Sequence, residues 1–345
     1  MRTRYSKPSS DIAPEFAVRM QDDAENITKY KDIIHTLISS PPRRNCILCQ
    51  SLLEGETFEN RDVEYVQCNI CGHVQSRPCP PPNYPYSISG NNLFAKLYPD
   101  LDATAYINRR DRIYTPKLDW LLECLEHEGI SRRNALNLRW TELGCGAGYF
   151  LSALEHAGAQ NIQGIDADEK LVLQAKRFIP NARITSQRLP LHQTVKQVHT
   201  DIYVAWFVLE HIEAPHLFFN ALQKLPKGTI LAFSVPVFSI ATLLDICFSN
   251  LQARHLDNVV HTQIYTDESI KFALNISNMS LKSQWIFGQD AEDFARYITL
   301  SIKNKMSFKL YEEKKSALTS MQDKLQELID INEFSEQRHI LAIKN

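Results

Sequence analysis

Apolar positions along this chain follow two rhythms. Short apolar runs bounded by turn residues read as buried strands, and three-to-four spacing reads as helices with one face on a core. From about residue 106 the two alternate. Residues 106–127 place Ile113, Leu118, Leu121, Leu122 and Leu125 at helical spacing. Trp140, Thr141, Glu142 and Leu143 end a first strand, and 149–158 is a helix that stops at Gly158. Residues 161–165 read as a second strand, 201–212 carry a fourth, 228–236 a fifth, 281–287 a sixth and 339–344 a last. An excursion spans 237–265, Thr266 caps a helix over 266–277 with Glu268 just inside it, and 289–332 is a helical insertion. In that insertion Leu318, Met321, Leu325 and Leu328 keep seam spacing, which predicts packing on the domain or a homodimer contact. Strands alternating with helices predict an α/β core with a parallel sheet, beginning near residue 131.

The chain before this core reads differently. Residues 1–40 are polar and mixed, with one helix expected over 24–38, and Pro41 and Pro42 then punctuate it. Residues 41–86 hold Cys46, Cys49, Cys68 and Cys71, arranged as C-x2-C, an 18-residue spacer and C-x2-C. Two such knuckles bring four thiolates to the corners of a tetrahedron, the ligand set of a structural zinc with no open position for catalysis. A pair of disulfides or a rubredoxin-like iron would use the same residues. Tyr65, Val66 and Gln67 read as a short strand into the second knuckle. Pro78, Pro80, Pro81, Pro82 and Pro85 stiffen the exit, where Tyr84 and Tyr86 either line a substrate pocket or pack at the surface. Residues 87–130 form a linker and the helix that leads into the core.

Composition narrows the function classes. The 345 residues are 44% apolar and 23% charged, which suits one large domain plus a small module. A net charge of −2 advertises no global attraction to nucleic acid or membrane. Within 41–86, Arg43, Arg44, Arg61 and Arg77 face Glu54, Glu56, Glu59, Asp62 and Glu64, whereas phosphate binding wants the reverse balance. Arg2, Arg4 and Lys7 are followed by no apolar segment, so no secretory signal is expected. The longest uncharged run, 229–244, is interrupted by Pro236 and reads as strand five plus a loop, not a span. A cytoplasmic protein with reduced cysteines is expected, in which Cys124, Cys145 and Cys247 are ordinary core or loop residues.

The chemistry concentrates after the first strand. Glu142-Leu143-Gly144-Cys145-Gly146-Ala147-Gly148 is followed by Gly164-Ile165-Asp166 at the end of the second strand. Glycines between strand and helix let the backbone turn sharply and let a ligand approach without a Cβ in the way. The pattern is G-x-G-x-G after a glutamate, not the G-x-G-x-x-G of a pyrophosphate cradle. A carboxylate beside the loop would repel pyrophosphate but suits a ligand carrying an amine and a sulfonium. Asp166 can accept hydrogen bonds from two ribose hydroxyls.

These residues resemble motif I of the class I S-adenosylmethionine (SAM)-dependent methyltransferases and their ribose-binding acidic residue. Asp201 through Ile212, with its Val208-Leu209-Glu210-His211-Ile212 ending, and 228–236 resemble that family's strands four and five. The resemblance implies a Rossmann-like methyltransferase core over about 131–345. It implies a cofactor set of Glu142, Gly144, Cys145, Gly146, Gly148, Asp166 and Ala167. Many relatives hold adenine with an acidic residue after strand three. Here Ser186 and Gln187 stand in that stretch and are the candidates, and Trp206 either stacks near the cofactor or packs the core.

The cysteine module ahead of such a core is similar to the N-terminal zinc-binding region of bacterial sugar C-methyltransferases and their relatives. That resemblance implies a small-molecule acceptor, a nucleotide-linked or surface-polysaccharide sugar. It places His211 and His261 against the substrate, with Tyr265 as orienter. Val260 and Ile264 replace the glutamate and tyrosine of the C-methylating set, which leaves O-, N- and C-methylation all open. A neutral histidine suits removal of the acceptor's proton. His255, Asp257 and Asn258 are further candidates for substrate contact. An RNA methyltransferase gripping RNA through the zinc module, and an inactive binding subunit with this fold, are the competing readings.

Overall fold

The alternating elements close into one sheet. The computed structural model describes residues 1–8, 23–81, 102–251 and 253–345. Its strands are β1 (Arg2–Tyr5), β2 (Gly55–Asn60), β3 (Val63–Cys68), β4 (Val74–Ser76), β5 (Trp140–Leu143), β6 (Ile162–Asp166), β7 (Arg183–Ser186), β8 (Ile202–Trp206), β9 (Ile230–Pro236), β10 (Gln263–Ile264), β11 (Met279–Phe287) and β12 (Gln337–Lys344). Its α-helices are α1 (Asp23–Ile38), α2 (Ala103–Arg109), α3 (Thr115–His127), α4 (Arg132–Asn137), α5 (Tyr149–His156), α6 (Glu169–Phe178), α7 (Leu191–Gln197), α8 (Pro215–Leu222), α9 (Ile240–Cys247), α10 (Asp267–Ile276), α11 (Asp290–Ile302) and α12 (Phe308–Ile331). Tyr84 and Tyr86 lie outside the described residues. Among the described residues no helix is long and apolar enough to cross a membrane.

The main sheet runs β1-β11-β12-β9-β8-β5-β6-β7. From β7 to β9 every neighbouring pair is parallel, and β12 then pairs antiparallel with both β9 and β11. This is a mixed α/β fold with a parallel-dominated central sheet, the Rossmann-like arrangement that was expected. Parallel strands need covered faces, and alternate residues deliver them. Ile202, Val204 and Trp206 of β8 pack into one core with Leu118, Leu121 and Phe150. Tyr203 and Ala205 pack into the other with Phe218, Phe233 and Tyr265.

The cysteine module shares that second core, because Cys46, Leu48, Val66, Cys68 and Cys71 belong to it. A four-stranded sheet, β10-β4-β3-β2, joins the two parts. β10 comes from the excursion after β9 and pairs Gln263 with Gln75 and Ile264 with Val74. The Asn258 amide donates to Asn60 O at 3.0 Å, and the Tyr65 hydroxyl donates to the Asn258 amide oxygen. Leu37, on α1, is buried with Val63, Tyr65, Leu256 and Ile264. The module and the excursion therefore fold as one unit at the strand ends.

Several expectations need correction. Arg2–Tyr5, taken as polar extension, adds a strand parallel to β11. The helix expected over 106–127 is three pieces, with a π-helical segment, Arg110–Tyr114, between α2 and α3. The loop expected after strand five contains α9, opened by a Ser239–Thr242 capping box. The insertion is two helices, α11 and α12. Its seam does not pack on the domain, the first of the two expectations, since Met321 and Leu328 are 55% and 56% exposed. The buried face of α12 is instead Tyr311, Gln326, Ile329 and Asp330. Gln326 draws it in, donating to Asp330 and accepting from Ala291 N at 2.9 Å. A polar network thus sets the rotation of this helix, which an apolar count does not register.

Asn258 sits at φ 63° and is fully buried. Asn258→Ala removes the bonds to Asn60 and Tyr65 and leaves a residue poorly suited to that backbone, so a loss of about 2–4 kcal/mol is expected. Asn258→Gly, free of the backbone strain, should lose less. Urea unfolding measures both, and an unchanged midpoint in both variants would contradict this role.

Candidate functional site

The strand order reverses between β5 and β8, and the glycine loop leaves β5 at that point. Open parallel sheets bind ligands there, outside the strand C-termini. Gly144, Gly146 and Gly148 all take left-handed backbone, at φ 68°, 52° and 78°. A Cβ on Gly144 would come within 2.5 Å of Val208, and one on Gly148 within 2.6 Å of Ile179. A Cβ on Gly146 would meet nothing within 4 Å, so the middle of the loop borders open space. Gly146 N donates to Asp166 Oδ2 at 2.7 Å, and Asp168 N donates to Oδ1 at 2.8 Å. Burial raises the Asp166 pKa, while these backbone donors oppose the rise. The carboxylate is therefore aimed before any ligand arrives.

Ser186 is paired in register with Asp166 across β6 and β7, and both Ser186 and Ala167 are exposed at the strand ends. Gln187 N donates to Asp166 O, while its side chain reaches Gln197. The Cys145 side chain instead packs inward, where a Cβ on Gly164 would lie 2.8 Å from its sulfur. Trp206 packs the core, with Phe150 at 5.5 Å and His339 at 5.4 Å between ring centroids.

Glu142, the last but one residue of β5, is almost fully buried, and its Oε2 has no hydrogen-bond partner. Burial pushes its pKa well up, opposed by the positive charge of Lys117. Lys117 was not legible as a site residue. It lies on α3 with its ammonium 5.2 Å from the Tyr114 and Trp206 ring centroids and 4.9 Å from that of Phe207. Burial lowers its pKa to about 7, while Glu142 and Glu210 pull the other way. Tyr106 was missed too. Its hydroxyl donates to Ala147 O at 3.0 Å, and its ring stacks on Tyr149 and Phe178, so α2 fastens the glycine loop from above.

The second half of the crevice begins one turn beyond β8. Phe207 takes φ 54°, with its N–H donating to Ser234 O, and the 3-10 turn Leu209–His211 follows. His211 and His261 stack with ring centroids 5.0 Å apart, so the two predicted histidines do meet. Asp257 holds the second in place, its Oδ1 accepting from the N–H groups of Val259, Val260 and His261 at 2.9 Å each. His211 Nδ1 lies 3.4 Å from Val260 O, and His261 Nδ1 lies 3.3 Å from Arg254 O. Burial pushes the His211 pKa down to about 3 and that of His261 to about 4, so both rings are neutral at neutral pH. Glu210, beside them, is buried, and that raises its pKa to about 8. Tyr265 does not stand between the histidines. Its hydroxyl donates to Leu209 O at 3.4 Å, and its ring packs edge-on against His73, so it braces the turn that carries Glu210 and His211. His255 pairs with Glu336, and Asn258 and Asp257 make the framework contacts already described, which gives all three structural work.

The four cysteines form a compact cluster. Cys46 Sγ lies 3.6 Å from Cys71 Sγ, Cys49 Sγ lies 3.6 Å from Cys68 Sγ, and all four sulfurs fall within 4.8 Å of one another. None is in a disulfide. Four thiolates about 2.3 Å from a tetrahedral zinc would be about 3.8 Å apart, so the donor set fits that ion.

A family profile described as a methyltransferase domain matches residues 107–280. No curated protein matches the sequence. Among solved structures, magnesium protoporphyrin IX methyltransferase from Synechocystis PCC 6803 with bound SAH is similar at 15% identity and a TM-score of 0.45, over 75% of this chain and 96% of that one. An S-adenosylmethionine-dependent methyltransferase from Mesorhizobium loti is similar at 16% identity and a TM-score of 0.37, over 60% and 91%. A SAM-dependent methyltransferase from Archaeoglobus fulgidus is similar at 15% identity and a TM-score of 0.41, over 70% and 100%. The profile spans half of the chain, from α2 through the glycine loop, Asp166 and both histidines into β11, and the chain belongs to the methyltransferase-domain family.

Proposed function

We propose that this protein transfers a methyl group from S-adenosylmethionine to a small hydroxyl-bearing acceptor, a nucleotide-linked or surface-polysaccharide sugar. The observation that carries the reading is the meeting of two half-sites at one switch point. Gly144 touches Val208, which links the nucleoside half to the turn bearing Glu210 and His211. S-adenosylmethionine, when bound, supplies a methyl carbon made electrophilic by its sulfonium.

The residues present fit that molecule. A carboxylate offers about four lone-pair directions. Asp166 spends some on the backbone N–H groups of Gly146, Ala167 and Asp168 and has capacity left for a ribose hydroxyl. The unpartnered Glu142 Oε2 suits an ammonium group, and the open space at Gly146 leaves room for close approach of the nucleoside. At the other half, neutral imidazoles supply lone pairs that help the acceptor lose its proton. Holding nucleophile and methyl carbon in near-attack geometry does most of the remaining work. The four cysteines would hold a structural zinc. Their module braces the excursion through β10 and so keeps His261 opposite His211. The sugar-like acceptor rests on the resemblance of this module to that of sugar C-methyltransferases.

Calorimetry should show SAM binding, with Asp166→Asn weakening it about 10- to 100-fold, as expected for lost hydrogen bonds to a charged group. Labelled SAM and a panel of nucleotide sugars should then yield a labelled sugar. Methylation of none of them by protein that binds SAM would contradict the sugar assignment, and failure to bind SAM would contradict the whole reading.

Elemental analysis should find about one zinc per chain. Cys68→Ser should lose it and lower the melting temperature. Protein folded with an unchanged melting temperature after zinc removal would contradict the structural role.

A further inference from the structure

Three groups of metal-capable side chains occur among the described residues. One is the cysteine cluster. A second, His255, Asp293 and Glu336, already has a cation, because the Arg254 guanidinium pairs with both Asp293 and Glu336. The third is Glu210, His211 and His261, where the Lys117 charge acts on the Glu210 carboxyl and draws its pKa down against burial. We propose that these three residues bind a divalent metal cation at the acceptor end of the site.

Four observations support this. Each residue offers one ligand atom, and the three atoms lie within 4.8 Å of one another. A cation with bonds of about 2.1 Å spans neighbouring ligands by about 3–4 Å, so a modest rotamer adjustment closes the set. Glu210 is 1% exposed, yet its Oε2 finds no hydrogen-bond partner. A buried carboxyl oxygen left in that state is costly unless something else meets it. Both histidine Nδ1 atoms face backbone carbonyls, of Val260 and Arg254, which turns the Nε2 lone pairs outward. A ring N–H held by a carbonyl is the usual support of a metal-bound histidine. His211 Nε2 lies 3.9 Å from Glu210 Oε1. Finally, the carboxylate is the deep member and the two imidazoles are only half-buried, so coordination positions remain on the open side.

Two imidazoles and one carboxylate, with open positions, suit an ion such as Mn²⁺ rather than a thiolate-seeking one. The consequence for the reaction deepens the methyl-transfer reading and rests on it. An acceptor hydroxyl ligating the cation loses its proton to water more readily, and the electron pair left on oxygen becomes the nucleophile. The histidines would then act through the cation and not as bases themselves.

The test is Mn²⁺ titration of the full, zinc-loaded chain, followed by electron paramagnetic resonance, with SAM binding measured on the same samples. Expected is about one Mn²⁺ per chain, bound at least ~100-fold more weakly by Glu210→Gln and by His261→Asn, with SAM affinity retained. Using two variants on different segments keeps the test open if one fails to fold. Wild-type protein that binds SAM but no Mn²⁺ would overturn the proposal, as would equal Mn²⁺ binding by folded variants. Protein that binds Mn²⁺ at these residues but not SAM would sustain the cation site and defeat the methyl-transfer reading.

Discussion

β5 pairs in parallel with β6 on one side and with β8 on the other, so the chain leaving its C-terminal end enters a gap between two diverging crossovers. Every other feature of the site is placed relative to that gap. The backbone must reverse there within a few residues, and it does so through three left-handed glycines. The same turn brings Gly144 against Val208, where any larger residue would push the β5 loop away from the turn after β8. Asp166 then ties the loop to β6 from the far side. One topological constraint thus sets the distance between the glycine loop and the Glu210–His211 turn.

The histidine pair depends on chain that the sheet does not supply. His261 lies on an excursion with few regular elements of its own, and a loop of that kind would ordinarily be mobile. Here β10 lends it a strand partner in the cysteine module, Asn258 bonds to Asn60, and Asp257 gathers three successive N–H groups. The cysteine cluster holds the knuckles on which β3 and β4 are built. A structural metal there would act on the reaction only through this chain of contacts, by fixing where His261 stands.

The geometry of the glycine loop was legible because its residues are local. Glu142, the glycines and Asp166 sit within one strand–helix–strand unit, where spacing alone dictates geometry. The cysteine quartet was legible for the same reason. The pairing of His211 with His261 joins residues fifty positions apart, and both were candidates in the sequence together with Tyr265, His255, Asp257 and Asn258. Glu210 stood in the same motif as His211, but nothing local distinguishes a buried carboxyl with an idle oxygen from an exposed one. Lys117 and Tyr106 were hidden because their roles arise from α2 and α3 crossing the strand ends. The contact by which Tyr265 braces the Leu209–His211 turn was not legible, because its direction depends on the bridge to Val237 and on the Leu209 carbonyl. Short strands such as Arg2–Tyr5 escape any periodicity, since four residues alternate too few times to be read.

The central claim is that a single crevice receives the methyl donor on one side and the acceptor on the other. A crystal structure of the protein with S-adenosylhomocysteine tests it most directly. Expected is the ribose on Asp166, the nucleoside over Gly146, and the sulfur facing the Glu210–His211 turn. A ligand seated elsewhere, or with its sulfur turned away from that turn, would contradict it.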